Sequence, residues 1–137
     1  MMSMCSLWQK KAETALKVAR VAALDPETIE NAAFWCHECA SNALNAFMAS
    51  RRQELTRFET LELHLEACIK LEPRFQALAS LCKDLSPYVH TQYPSDTYVF
   101  NIDQAEITAA IEKAAKVLAF VKEVIAEQQQ SNAICKG

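Results

Sequence analysis

An all-α helical bundle is the fold this sequence predicts, and three observations predict it. The 137-residue chain holds a single glycine, and that glycine is its last residue, Gly137. Tight β-turns need residues that tolerate positive φ, so a β-rich domain of this length would carry several glycines. Alanine, the strongest helix former, recurs through the apolar segments. Those apolar residues return every three or four positions, the period of a helix with one buried face. The length suits one domain over residues 1–137, enough to bury a core without disulfide or metal support.

The first helix is expected from about Ser6 to Ala23, with Trp8, Ala12, Ala15, Ala19 and Ala22 on one face. Asp25-Pro26 ends it and opens the second helix, Asp25 as N-cap and Pro26 at the first helical position. That second helix runs to about Ser50, with Ile29, Ala33, Cys36, Ala40, Ala43 and Phe47 inward. A third is expected over Leu55–Leu71, with Phe58, Leu61, Leu65 and Cys68 inward. Pro73 breaks it and opens a fourth, which carries Phe75, Leu78, Cys82 and Leu85 and ends or kinks at Pro87. Thr91–Phe100 is the longest loop. The last helix starts near Asp103, with Asp103 and Glu106 at capping-box spacing. Its stripe of Ile107, Ala110, Ile111, Ala114, Val117, Leu118, Val121, Val124 and Ile125 is the clearest in the chain, and a frayed polar tail is expected from about residue 128. The expected architecture is an up-and-down bundle of four long helices plus a shorter fifth.

Charge and cysteine usage narrow the function classes. The net charge is −3 and the cations are scattered, whereas a free-standing nucleic-acid binder shows a basic face. Lys10-Lys11 and Arg51-Arg52 read as solvated helix ends. No apolar run reaches the roughly 20 residues of a membrane span, and the first residues lack the core of a signal peptide. A cytoplasmic protein is expected. Of the six cysteines, Cys36, Cys39, Cys68 and Cys82 fall at apolar helix positions, where cysteine acts as a small hydrophobe. Cys36 and Cys39 have C-x-x-C spacing, but they sit mid-helix and no second pair completes a zinc set. Reduced core thiols, with no metal and no cofactor, are the expectation.

The second helix carries a resemblance. Ala33-Phe34-Trp35-Cys36-His37-Glu38-Cys39-Ala40-Ser41-Asn42-Ala43-Leu44-Asn45-Ala46 is similar, without a gap, to the A-F-x-x-Q-Q-A-A-E-K-A-L-K-A pattern of the HEPN family's central helix. Leu65–Phe75 is similar to that family's corner between its third and fourth helices, and Tyr88–Pro94 sits where many members have an R-Y-P turn. The resemblance spans about residues 7–125 and implies a helical domain that pairs two-fold. It also implies a nucleotide as ligand and a small nucleotidyltransferase as partner. This chain departs from the pattern where the family is charged. Ser41 and Asn42 replace a Glu-Lys pair, Asn45 replaces a lysine, and Gln92 replaces the arginine of the turn.

Two candidate sites follow. His37, Ser41, Asn42 and Asn45, beside Glu38, form a polar stripe on the second helix, which reads either as solvated surface or as a ligand cleft. Gln92 and Tyr93 are expected to join that cleft from the long loop, at or beside a dimer seam. Ribonuclease members of the family use an arginine followed by a histidine, and Arg57 and His64 are the one spacing match. Placed on one face of a third helix they would stand about 10 Å apart along its axis. The match lies earlier in the chain than the family's motif, and His90, near the expected place, has no arginine at that spacing. The expected function is a non-catalytic HEPN-type binding module that dimerises. The alternatives are a metal-independent ribonuclease of toxin type and a dimeric scaffold without ligand.

Overall fold

The computed structural model describes residues 2–136, with side chains as far as Ser131. Helix α1 spans Met4–Ala22, α2 Ile29–Ser50, α3 Leu61–Leu71, α4 Ala79–Leu85 and α5 Gln104–Lys136. Short 3-10 segments lie at Pro26–Thr28, Pro73–Leu78 and Ser86–Gln92. No strand occurs among the described residues, and no helix there is long and apolar enough to cross a membrane.

Helix ends follow local chemistry. Ser3 caps α1 by accepting from the Ser6 amide at 3.1 Å. Asp25 accepts from the Glu27 amide at 2.9 Å, but the turn it caps is a 3-10 segment and α2 begins only at Ile29. Asp103 accepts from the Glu106 amide at 2.8 Å, half of a capping box. The Glu106 carboxylate does not close the box; it accepts instead from the Tyr88 hydroxyl at 2.7 Å, tying α5 to the segment before the long loop.

Helix α2 is the axis of the molecule. It packs against α1, α3, α4, α5 and Ser86–Gln92. Ala33, Cys36, Ala40, Ala43, Leu44 and Phe47 are fully buried. Small side chains let neighbouring backbones close in, near enough that the Cys39 thiol points at the Ala114 carbonyl of α5 at 3.8 Å. The Cys68 thiol does the same to Leu44 at 4.0 Å. Burial pushes the thiols of Cys36, Cys39, Cys68 and Cys82 up to about 12, so they stay protonated at neutral pH. Cys135, also read as a reduced thiol, lies outside the described side chains. At the far end of α2, Phe47 packs tilted on Phe75 and Phe75 meets Phe120 edge to face, with ring centroids 4.3 and 5.1 Å apart.

Two expected helices differ from the observed ones. The fourth is broken into Pro73–Leu78, α4 and Ser86–Gln92, because Pro73 and Pro87 each impose a tight first turn. The third begins at Leu61, not Leu55, where Thr60 caps it by accepting from the Leu63 amide at 3.1 Å.

The segment released by that late start decides the topology. Arg51 reaches the Leu71 carbonyl at 3.1 Å, so the C-terminal ends of α2 and α3 lie side by side. Cys68 sits beside Leu44, further back along both helices. Helix α3 therefore runs parallel to α2, and simple up-and-down alternation is broken at this joint. Residues 51–60 return along α2 without regular structure. In extended form, ten residues reach further than the rise of the eleven-residue α3, so the return is feasible. Elsewhere consecutive helices alternate, while α5 runs parallel to its spatial neighbour α2, with Cys39 beside Ala114 and Gln128 bonded to Ser50. Arg74 pairs with Glu127 at 2.8 Å and Asp84 with Lys113 at 3.1 Å, which sets α4 antiparallel to α5.

The reversal itself starts at Arg52, whose φ of 56° is the only positive value among the described non-glycine residues. The Gln53 amide donates to the Met48 carbonyl and the Arg52 amide to Ala49, both at 3.0 Å. That is a Schellman ending with arginine where glycine is usual. Arg52→Gly is expected to stabilise the fold by about 1 kcal/mol, because a Cβ is costly in the left-handed region; urea titration measures it. Cys36→Ser is expected to cost about 1–3 kcal/mol by burying a hydroxyl without an assured partner, read from the same titration.

Candidate functional site

A groove of about 1130 Å³ opens between α1, α2 and the returning segment 51–60. It is large for a small-molecule pocket, which typically spans about 300–1,000 Å³. One wall is the polar side of α2: His37, Glu38, Ser41, Asn42 and Asn45 all line it. None of these is solvent-exposed; His37 is buried and the other four are half-buried. The stripe is therefore a groove wall, not a solvated helix face.

The facing wall is the returning segment and the start of α3. Arg57, Phe58 and His64 line the groove from that side. Arg57 is not on a helix, so the expected seven-residue helical spacing to His64 does not apply. The fold still brings both to one groove, because the return places residues 57–64 beside the middle of α2. Phe58 lies flat on the His64 ring, with centroids 4.6 Å apart and planes 16° from parallel.

His64 is the most constrained polar group of the site. It is 4% exposed, and its Nε2 has no hydrogen-bond partner in the protein. Burial, aided by the neighbouring His37, pushes its pKa down to about 4. The ring is neutral at physiological pH. His37 Nδ1 lies 3.2 Å from a Glu38 carboxylate oxygen.

The third wall is α1. Trp8 and Lys11 lie on its groove side with Ala15 and Val18, at helical spacing. Trp8 Nε1 is the other buried side-chain nitrogen without a partner among the described residues. Both orphaned nitrogens thus belong to residues of one groove. Lys10, Lys11 and Arg57 are exposed and supply cations at its rim, with Glu38 and Glu59 as the acidic counterparts. Sequence reasoning missed this wall: Trp8 read as packing and Lys10-Lys11 as a solvated end. The i, i+3, i+7, i+10 spacing of Trp8, Lys11, Ala15 and Val18 was the signal that they share a face.

Gln92 and Tyr93 do not join the groove. They line a separate depression of about 330 Å³ with Glu30, His90 and Tyr98. That loop is held by its own contacts. His90 stacks on Tyr98 at 3.7 Å, and the Thr91 hydroxyl donates to the Tyr88 carbonyl at 2.7 Å. Tyr93, Tyr98 and Val99 remain exposed.

The model of the HEPN domain family matches residues 5–124. The chain belongs to the HEPN family. No curated protein and no solved structure matches it. Every lining residue of the groove except Met4 lies within the matched span, including the positions where this HEPN domain carries Ser41, Asn42 and Asn45.

The neutral His64 has a consequence for stability. Its folded pKa lies below the usual histidine value, so the unfolded chain binds the extra proton between about pH 6.5 and 4. Stability is full above that window and falls as pH falls through it. About 2 kcal/mol should be lost between pH 7 and pH 5. Urea titrations at the two pH values measure this, and His64→Gln is expected to remove that share of the loss.

Proposed function

We propose that this HEPN domain is a non-catalytic binding module that holds a nucleotide in the groove between α1, α2 and segment 51–60. The observation that carries the reading is the pair of orphaned nitrogens, Trp8 Nε1 and His64 Nε2, on residues of one groove. Leaving a buried polar group unpaired costs roughly 1–3 kcal/mol each. A ligand that supplies partners recovers that cost. The half-buried amides of Asn42 and Asn45 add donors and acceptors, and the rim cations suit a small anion. With Glu38 and Glu59 beside them, those cations make a poor track for a nucleic-acid backbone.

The module is further expected to dimerise and to act with a small nucleotidyltransferase. Exposed Tyr93, Tyr98 and Val99 on the long loop, Leu7 and Val21 on α1, and Leu24 just past its end support an interface. The second reading, a metal-independent ribonuclease, is favoured by the presence of Arg57 and His64 in the same groove. Against it stands the protonation state of His64. A general base works best with a pKa near the working pH, and the one N–H of a neutral ring is too weakly acidic to serve as a general acid.

Calorimetric titration with ribonucleoside monophosphates is expected to show binding that Asn42→Ala weakens about tenfold, the worth of a lost hydrogen bond in a buried site. Light scattering at micromolar protein is expected to report twice the chain mass. RNA incubated with the protein should stay as intact as with an Arg57→Ala, His64→Ala double variant. Cleavage lost in that variant would install the ribonuclease reading instead, and titrations without heat would leave a scaffold.

A further inference from the structure

The groove is not uniform from floor to rim, and that asymmetry orients what it holds. Two nitrogens closed to solvent, Trp8 Nε1 and His64 Nε2, belong to residues that line its inner part, so a ligand reaches them only where the lining side chains move apart. The indole nitrogen is a donor in every state, whereas the imidazole nitrogen donates or accepts according to its tautomer. Aromatic surface surrounds them, with Trp35 and Phe58 among the lining residues. At the rim, Lys10, Lys11 and Arg57 reach into solvent.

Resting on the reading of this groove as the binding site, we propose that the floor at Trp8 and His64 takes the neutral, ring-bearing end of the ligand, while the anionic end stays at Lys10, Lys11 and Arg57. The argument is one of desolvation. A charged oxyanion drawn to the floor would lose its water among aromatic rings and find one indole N–H and one imidazole nitrogen. The same surroundings already keep His64 from holding a proton near neutral pH. An uncharged carbonyl or ring nitrogen pays far less on entering, and it satisfies the indole N–H. A flat ring also fits where Phe58 and His64 already stack face to face. Phe58 is carried by the irregular segment 51–60, so it is the side chain placed to shift and admit the ring. The ligand class is thus a flat neutral heterocycle with an acceptor atom on its inner edge, joined to an outward anion. Recognition is by the ring; the phosphate adds attraction at the rim.

The test compares ligands and variants by tryptophan fluorescence and calorimetry. The probes are the ribonucleoside monophosphates, the matching nucleosides, ribose phosphate, inorganic phosphate and the small neutral lactam 2-pyridone. Nucleosides should bind within about tenfold of the monophosphates, because rim charges are screened by water. Trp8→Phe keeps the aromatic surface and removes only the N–H, and it should weaken nucleosides and monophosphates alike, by about tenfold. Lys11→Ala and Arg57→Ala should weaken the monophosphates and leave the nucleosides unchanged. If ribose phosphate competes as well as the whole monophosphate, and Trp8→Phe changes nothing, this orientation is wrong while the nucleotide module stands. If 2-pyridone alone binds and needs Trp8, the floor reads neutral rings and the nucleotide assignment falls. Silence of every probe on the wild-type protein overturns both. The ligand series on the unmodified chain decides the matter even where a variant fails to fold.

Discussion

The reversal at Arg52 is the constraint on which the site depends. Helix α2 stops there because its last carbonyls are satisfied by the amides of residues 51–53, not by further helix. The chain then travels back along α2 before Thr60 starts α3. Two consequences follow. Helix α3 runs parallel to α2, so its first turn, with His64, lies against the middle of α2 and not against an end. The return segment also becomes a wall. A short antiparallel joint would have packed α3 directly on the polar side of α2, and that would have closed the groove and buried Ser41, Asn42 and Asn45 without partners.

The central position of α2 explains why its polar side is half-buried. A helix on the rim of a bundle turns one face to water. This one has neighbours all round, and the sequence answers with two kinds of surface. Alanine and cysteine line the sides that touch α1 and α5, where close approach needs small residues. Serine, asparagine and histidine line the side that faces the groove. The bulky Trp8 and Trp35 edge that groove. Core and site are therefore two faces of one helix, three or four residues apart in register. A substitution such as Cys36→Ser acts on the first, and Asn42→Ala acts on the second.

The fold was legible in the sequence because periodicity is a property of long segments. The stripes of α2 and α5 are buried almost as read, since a helix of twenty or more residues repeats its pattern enough times to fix which face is inward. Segment 55–60 was misread because Leu55 and Phe58 stand at helical spacing from Leu61. Two apolar residues do not separate a helix from an extended strap that tucks one ring inward. The competing signals were Thr60 as a cap and an arginine pair at the end of α2, and both are weaker than a glycine would have been. The groove was half legible. The α2 wall could be read from one helix alone, whereas the partnership of Trp8, Arg57 and His64 with that wall is tertiary and has no local signature. Gln92 and Tyr93 fall in a depression apart from the α2 stripe for the same reason: nothing local says which end of α2 a loop will cover.

The departures of this chain from the HEPN pattern follow from the same burial. At Ser41, Asn42 and Asn45 the family pattern carries a Glu-Lys pair and a lysine, and this chain carries neutral side chains. All three are half-buried in a groove whose floor already strips the proton from His64. A lysine placed there would lose hydration without gaining a full partner, and it would either shift its own pKa or destabilise the helix. A serine or asparagine suffers no such penalty and offers both donors and acceptors in a fixed direction. The cations of the groove are instead at its rim, on Lys10, Lys11 and Arg57, where water supports them. Loss of charge along α2 and retention of charge at the rim are two sides of one arrangement, with neutral groups where the groove is buried and charge where it meets water.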